Sequence, residues 1–590
     1  MTAEELRRRI NELPKGGVTI KQSNGRAYTY YQWTENGKQK GRRISDDEYQ
    51  LLSRQIQERK QYEKQLRNIN LYDFEEPDYG TLFVADARMF QTDVRIGEKL
   101  NLFAQSVQNY KRRSLFSQLK QFVDGDSHDK VFILYGLRRT GKTTLIRQVI
   151  LDMTDEQQRR TAFIQITPGD SLGELNKDLK NLEAMGFKYI FIDEVTLMED
   201  FIQGAALFSD IYAASGLKIV LSGTDSLGFV FTEDEQLYDR CVFLHTTFIP
   251  YSEFHNVLGI SGIDNYIQFG GTMSKSGENY NRAIFGSKQS TEEYVDSAIA
   301  HNIQHSLKYY QYGGHFRHLH ELYENNELTN VINRIVEDMN NQFTLNVLTR
   351  DFKSHDLGVS KTALRNDRTA PTTALDDIDT EFVTQKLKEF LEIRNKNEQS
   401  VPITDTHRIE IKQYLELLDL IHIIDIINLE DLNDKQTLTV FSQPGLRYSQ
   451  VQSLIKALLL DASFASISIQ ERARITERIL SVVKGRMMEN IVLLETKLRN
   501  PEKQVFKLQF AIGKFDMVVA DPESLTCEIY EIKYSDKSAP EQTRHLRDEQ
   551  KCARTEFRFG TITGKYVIYR GETKDVDGIK YINVEEFLTQ

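Results

Sequence analysis

One short loop restricts the possible folds of this 590-residue chain more than any other feature. Gly136–Thr143 reads Gly-Leu-Arg-Arg-Thr-Gly-Lys-Thr and fits the pattern G-x-x-x-x-G-K-[ST]. It directly follows Val131–Tyr135, an apolar run typical of a strand that is buried on both faces of a parallel sheet. The apolar residues after the loop have the spacing of a helix. This strand–loop–helix context predicts a phosphate-binding loop.

The residue types of the loop suit a nucleoside triphosphate with Mg²⁺. Glycines allow backbone N–H groups to approach phosphates, and the N-terminus of the following helix adds a partial positive charge. We expect Lys142 to reach the β- and γ-phosphate oxygens and the Thr143 hydroxyl to ligate Mg²⁺. The predicted nucleotide-binding residues are Gly136, Arg139, Thr140, Gly141, Lys142, Thr143 and Thr144.

A second acidic element supports the same site. Tyr189–Ile192 is a buried-strand pattern that ends in Asp193 and Glu194. Because ligands bind at the carboxyl ends of strands in open α/β sheets, we expect Asp193 to hold Mg²⁺ through water and Glu194 to polarise the attacking water. After the next strand, Ser222 or Thr224 is either a sensor of the γ-phosphate or part of a turn. Arg240 is either a surface arginine or a nucleotide contact, within one subunit or across an interface of a homo-oligomer.

These segments together resemble the archaeal-type, AAA-like P-loop ATPases of prokaryotes. The resemblance extends over roughly residues 116–271 and is weak from there to residue 400. It implies ATP binding, a winged-helix segment and a C-terminal nuclease-like domain. The matching motifs are the P-loop, Phe191–Glu194, Leu221–Thr224, Phe248–Phe254 and the following segment Ile263–Gly271.

The C-terminal sequence meets the last of these expectations. Asp516, Glu531 and Lys533 resemble the PD-(D/E)xK nuclease signature, with Phe515 in the place of proline. Glu531 and Lys533 point to one face of a strand because the side-chain period is two, and Asp516 lies on the neighbouring strand. Two carboxylates would hold Mg²⁺, and the lysine would orient or deprotonate water. Glu489, on a predicted helix, is a further candidate ligand. Alternatively, these acids are relics or ordinary salt-bridge partners.

The predicted fold class is α/β: a multidomain chain with a P-loop NTPase parallel-sheet core, a helical and winged-helix middle and a C-terminal α/β PD-(D/E)xK-like domain. The C-terminal domain is expected to have α-β-β-β-α-β order. The predicted domains are a basic β-meander plus helix at 1–70, a connector at 71–110, the ATPase core at 111–250, a helical extension at 251–345, a polar linker and helix at 346–400, a winged-helix-like segment at 401–470 and the nuclease-like domain at 471–590.

Charge distribution indicates DNA as a partner. The net charge is −11, yet residues 1–70 contain fifteen Lys and Arg against nine Asp and Glu. Tyr28, Tyr30, Tyr31 and Trp33 alternate with basic residues there, which suits base stacking and phosphate contact, or else the core of a small sheet. We expect a cytoplasmic location, since the sequence has no apolar run long enough to cross a membrane and no secretory signal pattern.

The sequence therefore favours an ATPase that controls a Mg²⁺-dependent nuclease-like domain acting on DNA. The alternative is an ATP-driven regulatory switch whose C-terminal domain is catalytically inactive.

Overall fold

The computed structural model divides the chain into two compact units, Met1–Gln91 and Thr92–Gln590. No helix among the residues it describes is both long and apolar enough to span a bilayer. The described residues are 8–9, 12–14, 17–23, 26–35, 38–70, 90–126, 129–137, 139–198, 200–224, 240–271, 318–319, 322, 327–347, 403–433, 436–460 and 468–590.

The first unit contains the predicted β-meander and helix. Three antiparallel strands, β1 (Gly17–Ser23), β2 (Arg26–Glu35) and β3 (Lys38–Ile44), precede the helix α1 (Asp46–Asn70). Ser45 begins the helix through a capping box: its hydroxyl accepts the Glu48 N–H at 3.3 Å, and the Glu48 carboxylate accepts the Ser45 N–H at 3.2 Å. The side chains of Tyr28, Tyr30 and Trp33 lie outside the described part of the chain, so the stacking hypothesis stays a prediction.

The first sheet of the second unit has six strands. Its strand order is β4-β6-β7-β8-β5-β9, and every pairing is parallel except that of the edge strand β4 with β6. The strands predicted at Val131–Tyr135 and Tyr189–Ile192 are present. The bounds of the six strands are β4 Asp93–Arg95, β5 Val131–Tyr135, β6 Thr161–Gln165, β7 Tyr189–Asp193, β8 Lys218–Gly223 and β9 Cys241–His245.

Helices lie in the described crossovers between the parallel strands β5 to β8, as such connections require. The side chains of β5 to β8 are mostly buried, and the core includes Phe132, Leu145, Phe163 and Phe191. The helices are α2 Gly97–Gln105, α3 Phe116–Asp124, α4 Lys142–Leu151, α5 Asp155–Arg159, α6 Leu172–Ala184 and α7 Phe201–Gly204, with a π-helix at Phe208–Ala213.

The described residues after this sheet are helical before the chain enters a second sheet. Most of residues 272–326 and 348–402, including the predicted polar linker, lie outside the description. The described elements are the helices α8 Tyr251–Asn256, α9 Ile263–Phe269, α10 Leu328–Asn346 and α11 Asp405–Leu417, the strands β10 Ile421–Asn428 and β11 Gln436–Phe441, and the helix α12 Pro444–Leu459.

The C-terminal segment has the predicted α-β-β-β-α-β order. Strands β12 to β14 are antiparallel, and β15 adds parallel to β14. Two short strands and a helix extend the pattern. The elements are α13 Ile469–Arg499, β12 Gln504–Gln509, β13 Lys514–Asp521, β14 Thr526–Lys533, α14 Glu549–Phe559, β15 Thr561–Tyr569, β16 Lys574–Val576, β17 Ile579–Asn583 and α15 Val584–Thr589.

Strands on both sides of the boundary predicted near residue 470 belong to one sheet. The β10–β11 hairpin is antiparallel, and β10 also pairs in parallel with β12. The hairpin is therefore the edge of one eight-stranded sheet, of order β11-β10-β12-β13-β14-β15-β17-β16. The long helix α13 packs on this sheet, and its Met488 shares a core with Ile424, on β10, and Met517, on β13. Backbone pairing thus unites residues that the sequence pattern assigned to two domains.

Candidate functional site

The P-loop turns tightly between β5 and α4. Gly136, Arg139 and Gly141 have φ angles of 140°, 67° and 91°, so three of its residues are in the positive-φ region. A Cβ atom on Gly136 would lie 2.5 Å from the carbonyl oxygen of Thr246, and a side chain is therefore excluded. Arg139 is exposed, and Thr144 lies in the first turn of α4.

Lys142 forms hydrogen bonds to the backbone of its own loop. Its ammonium donates to the carbonyl oxygens of Gly136 at 2.7 Å and Leu137 at 2.9 Å, and the side chain is buried. Thr140 adds a second internal bond, from its hydroxyl to the Leu137 carbonyl at 2.8 Å. The loop is thus held in its curved shape by its own side chains.

Asp193 lies at the carboxyl end of β7, close to the start of α4. Its Oδ2 accepts the Thr143 hydroxyl at 2.7 Å, and its Oδ1 accepts the Ser222 hydroxyl at 2.5 Å and the Glu194 N–H at 3.1 Å. The parallel order of β5, β8 and β7 brings these residues to one sheet edge. A hydroxyl and a carboxylate are the oxygen ligands that Mg²⁺ prefers, so Thr143 and Asp193 fit the predicted ion.

Glu194 has a left-handed backbone, with φ of 59°. Its two carboxylate oxygens accept the Thr224 hydroxyl at 3.1 and 3.0 Å. A positive φ at a non-glycine residue is uncommon and often marks a functional position. The structure therefore separates the two sensor candidates: Ser222 contacts Asp193, and Thr224 contacts Glu194.

Arg240 is exposed and forms an ion pair with Asp210. This contact agrees with the surface-arginine interpretation. Sequence reasoning missed another arginine, Arg113, which is buried and bonds to the P-loop carbonyl of Thr140. No periodicity or motif distinguishes it from its exposed neighbour Arg112.

The C-terminal signature residues come together as the strand geometry predicted. Met517 of β13 pairs with Tyr530 of β14, which places Asp516 beside Glu531. The ammonium of Lys533 lies 3.0 Å from Asp516 Oδ2 and 2.7 Å from Glu531 Oε2. Both carboxylates are almost completely buried. Burial raises the pKa of Glu531 to about 8. For Asp516, burial also opposes ionisation, but Lys514 and Lys533 outweigh it and hold the pKa well below its usual range.

Glu489 is connected to this cluster by basic side chains. Its carboxylate contacts Arg486 at 2.5 Å and Lys514 at 3.0 Å, and it is also paired with Lys507. Burial would raise the pKa of Glu489, but these three cations lower it to about 2. Lys514 also lies 2.8 Å from Asp516 Oδ1. The predicted third acid is therefore linked to Asp516 by a lysine.

Asp516 and Glu531 are the residues that would ligate the predicted C-terminal Mg²⁺. Within the described ranges, no group of three or more His, Cys, Asp or Glu side chains is arranged to hold a metal. However, Oε1 of Glu531 is buried without a hydrogen-bond partner. A buried carboxylate oxygen without a donor is costly, so it suits a cation ligand. The pair fits Mg²⁺, whereas Glu489 is already neutralised by three side chains.

The helices that follow the first sheet connect the two candidate sites. Asp264, on α9, accepts the Tyr534 hydroxyl at 2.5 Å and pairs with Lys484 at 2.9 Å. Tyr251, on α8, donates its N–H to Glu495 at 2.7 Å and its hydroxyl to Glu585 at 2.7 Å. Tyr534 directly follows Lys533, so the Asp264 contact reaches a residue next to the C-terminal cluster.

Comparison with known proteins defines the class of the central domain. Residues 128–255 match the family model described as AAA domain, so the chain contains an AAA-family ATPase domain built around this P-loop. No curated protein matches the chain. Among solved structures, the Aeropyrum pernix Orc1 protein, solved in complex with DNA, is similar over 62% of this chain and 94% of that chain, with 13% identity and a TM-score of 0.20.

Proposed function

We propose that this protein hydrolyses ATP at the P-loop and uses its nucleotide state to control a metal-dependent, nuclease-like C-terminal domain that acts on DNA. One observation carries the proposal: the hydrogen bond from Tyr534 to Asp264, at 2.5 Å. It joins the residue beside Lys533 to the helix that follows the ATPase sheet. A shift of α9 on ATP binding would therefore move a group next to the C-terminal cluster.

The ATPase mechanism follows from the hydrogen bonds of the P-loop. Mg²⁺, when bound with ATP, neutralises phosphate charge, and Thr143 and Asp193 would hold it. Lys142 would transfer its donors from the loop carbonyls to the phosphate oxygens. Glu194, held by the Thr224 hydroxyl, would orient the attacking water, because a carboxylate within reach of water can accept its proton.

The proposed cleavage site uses Asp516, Glu531 and Lys533. Asp516 and Glu531 would hold Mg²⁺, which supplies Lewis-acid activation of a phosphodiester and its attacking water. Lys533, which contacts both carboxylates, would orient that water. The α-β-β-β-α-β order, with a parallel fourth strand, supports the PD-(D/E)xK assignment.

A specific feature also favours the alternative, a regulatory switch that does not cleave DNA. Three carboxylates in the cluster face four cationic side chains, so their charge is neutralised by the protein itself. Lys514 lies between Glu489 and Asp516, within 3.0 Å of both. In this alternative, the cluster stabilises the fold and the ATPase controls binding alone.

The proposed partner and location rest on the sequence. The basic first 70 residues would contact DNA phosphates, and their positive charge would make that contact salt-dependent. We place the protein in the cytoplasm, and a homo-oligomer remains part of the proposal.

The test measures phosphate release and DNA cleavage by the full chain with Mg²⁺. Lys142→Ala and Glu194→Gln are expected to abolish ATP turnover, and Asp516→Ala/Lys533→Ala to abolish cleavage while ATP turnover continues. Asp536→Ala/Lys537→Ala is the matched control, because both of these residues are exposed and lie just after β14. Cleavage that survives in the Asp516/Lys533 variant would contradict the nuclease assignment. Absence of cleavage of single- and double-stranded DNA, with and without ATP, would favour the switch.

A further inference from the structure

A buried arginine lies behind the P-loop. Arg113 precedes α3 in the sequence, and its side chain is 3% exposed. The neighbouring Arg112 is 48% exposed and pairs with Asp152 at 2.5 Å. Burying a guanidinium is costly unless its donors are satisfied, so its partners show what the arginine does.

The guanidinium of Arg113 makes four hydrogen bonds. Nε pairs with Glu253 at 2.5 Å, and Nη1 donates to the Thr140 carbonyl at 2.6 Å. Weaker bonds of 3.3 Å reach the carbonyls of Thr247 and Phe248. Only a planar fork with five N–H donors can serve partners in these separate directions.

The bond to Thr140 acts on the peptide that the P-loop presents to phosphate. A trans peptide is planar, with its C=O and N–H on opposite sides. Holding the Thr140 carbonyl towards Arg113 therefore directs the Gly141 N–H away from Arg113. The nitrogen of this peptide belongs to Gly141, a positive-φ glycine whose backbone would otherwise reorient easily.

Glu253 fixes the arginine in turn. One of its oxygens pairs with Arg113, and the other accepts the N–H of Ser114 at 2.9 Å and its hydroxyl at 2.7 Å. Glu253 lies on α8, two residues after Tyr251, which bonds to the C-terminal domain. The Arg113–Glu253 pair that holds the loop therefore includes a residue of α8, the helix that contacts the C-terminal domain.

We propose that Arg113 is a positioning residue of the nucleotide site: with Glu253, it holds the Thr140–Gly141 peptide in the orientation that binds phosphate. This inference rests on the proposed ATP binding and extends it to a residue outside the loop.

The experiment compares wild type with Arg113→Lys and Glu253→Gln in the full chain. Lysine keeps the charge but cannot serve Glu253 and Thr140 together. We expect the Kd for ATP, measured by calorimetry with Mg²⁺, to rise by about 10–100-fold, the effect of losing a hydrogen bond to a charged donor. Arg112→Gln is the matched control, and its Kd should equal that of wild type.

The thermal midpoint without nucleotide separates positioning from a merely structural role. If Arg113→Lys and Glu253→Gln melt earlier yet bind ATP within twofold of wild type, the positioning role is wrong. If wild type itself binds no ATP, the proposed function fails instead. A folded Arg113→Lys protein with weakened ATP binding supports the inference.

Discussion

Glu495 offers a sharp test of the contact between the ATPase extension and the C-terminal domain. It lies on α13 with 4% exposure, and its Oε1 accepts the Tyr251 N–H at 2.7 Å. Burial raises its pKa from 4.5 to about 7, against the opposing effects of that hydrogen bond and of Arg499. The folded protein therefore binds a proton that the unfolded chain has already released at neutral pH.

The sign and size of the effect follow from linkage. Below about pH 4.5, both states are protonated and the group does not affect stability. As the pH rises, the unfolded chain ionises first, so stability falls until the pH passes about 7. The full loss is about 3 kcal/mol, since each pH unit of difference in pKa is worth about 1.4 kcal/mol.

Replacing Glu495 with glutamine keeps an oxygen for Tyr251 and removes the titration. The stability of Glu495→Gln relative to wild type should therefore improve by about 3 kcal/mol between about pH 4.5 and pH 8. Urea denaturation followed by circular dichroism measures this, because the single tryptophan, Trp33, lies in the other unit. Glu477→Gln, an exposed acid on the same helix, is the control. A difference between Glu495→Gln and wild type that does not change with pH would refute the reasoning.

Three further substitutions test other contacts. Gly136→Ala should lower stability by about 1–3 kcal/mol in denaturant titrations and weaken ATP binding, because its Cβ would meet Thr246; unchanged affinity would contradict the loop geometry. Thr224→Val should lower kcat for ATP about tenfold or more with KM unchanged, since the hydroxyl contacts Glu194; a rise in KM alone would oppose this. Asp264→Asn should preserve ATP turnover but remove ATP control of the C-terminal domain, measured as ATP-dependent cleavage or DNA binding; retained control would exclude this contact.

Much of the ATPase core was predictable because its determinants are local. Val131–Tyr135 was predicted with its observed bounds, and the loop pattern placed Gly136 and Lys142 where the structure has them. The pairing of Glu531 with Lys533 was also local, since alternate residues of a strand share a face. These features need only the regular geometry of strands and helices.

The tertiary structure decided what depends on distant pairing. β10 joins β12 across about eighty residues of sequence, so no local pattern could assign the hairpin to the C-terminal sheet. Lys514 and Lys507 surround Glu489 only when β12, β13 and α13 are packed together. The sequence by itself thus determined the phosphate-binding loop with its flanking strand and helix. It also determined which polar and acidic residues lie at the ends of the strands. The tertiary structure decided which residues pair with the buried charges. A charge removed from water is stable only beside a counter-charge, and that counter-charge can come from any distant part of the chain.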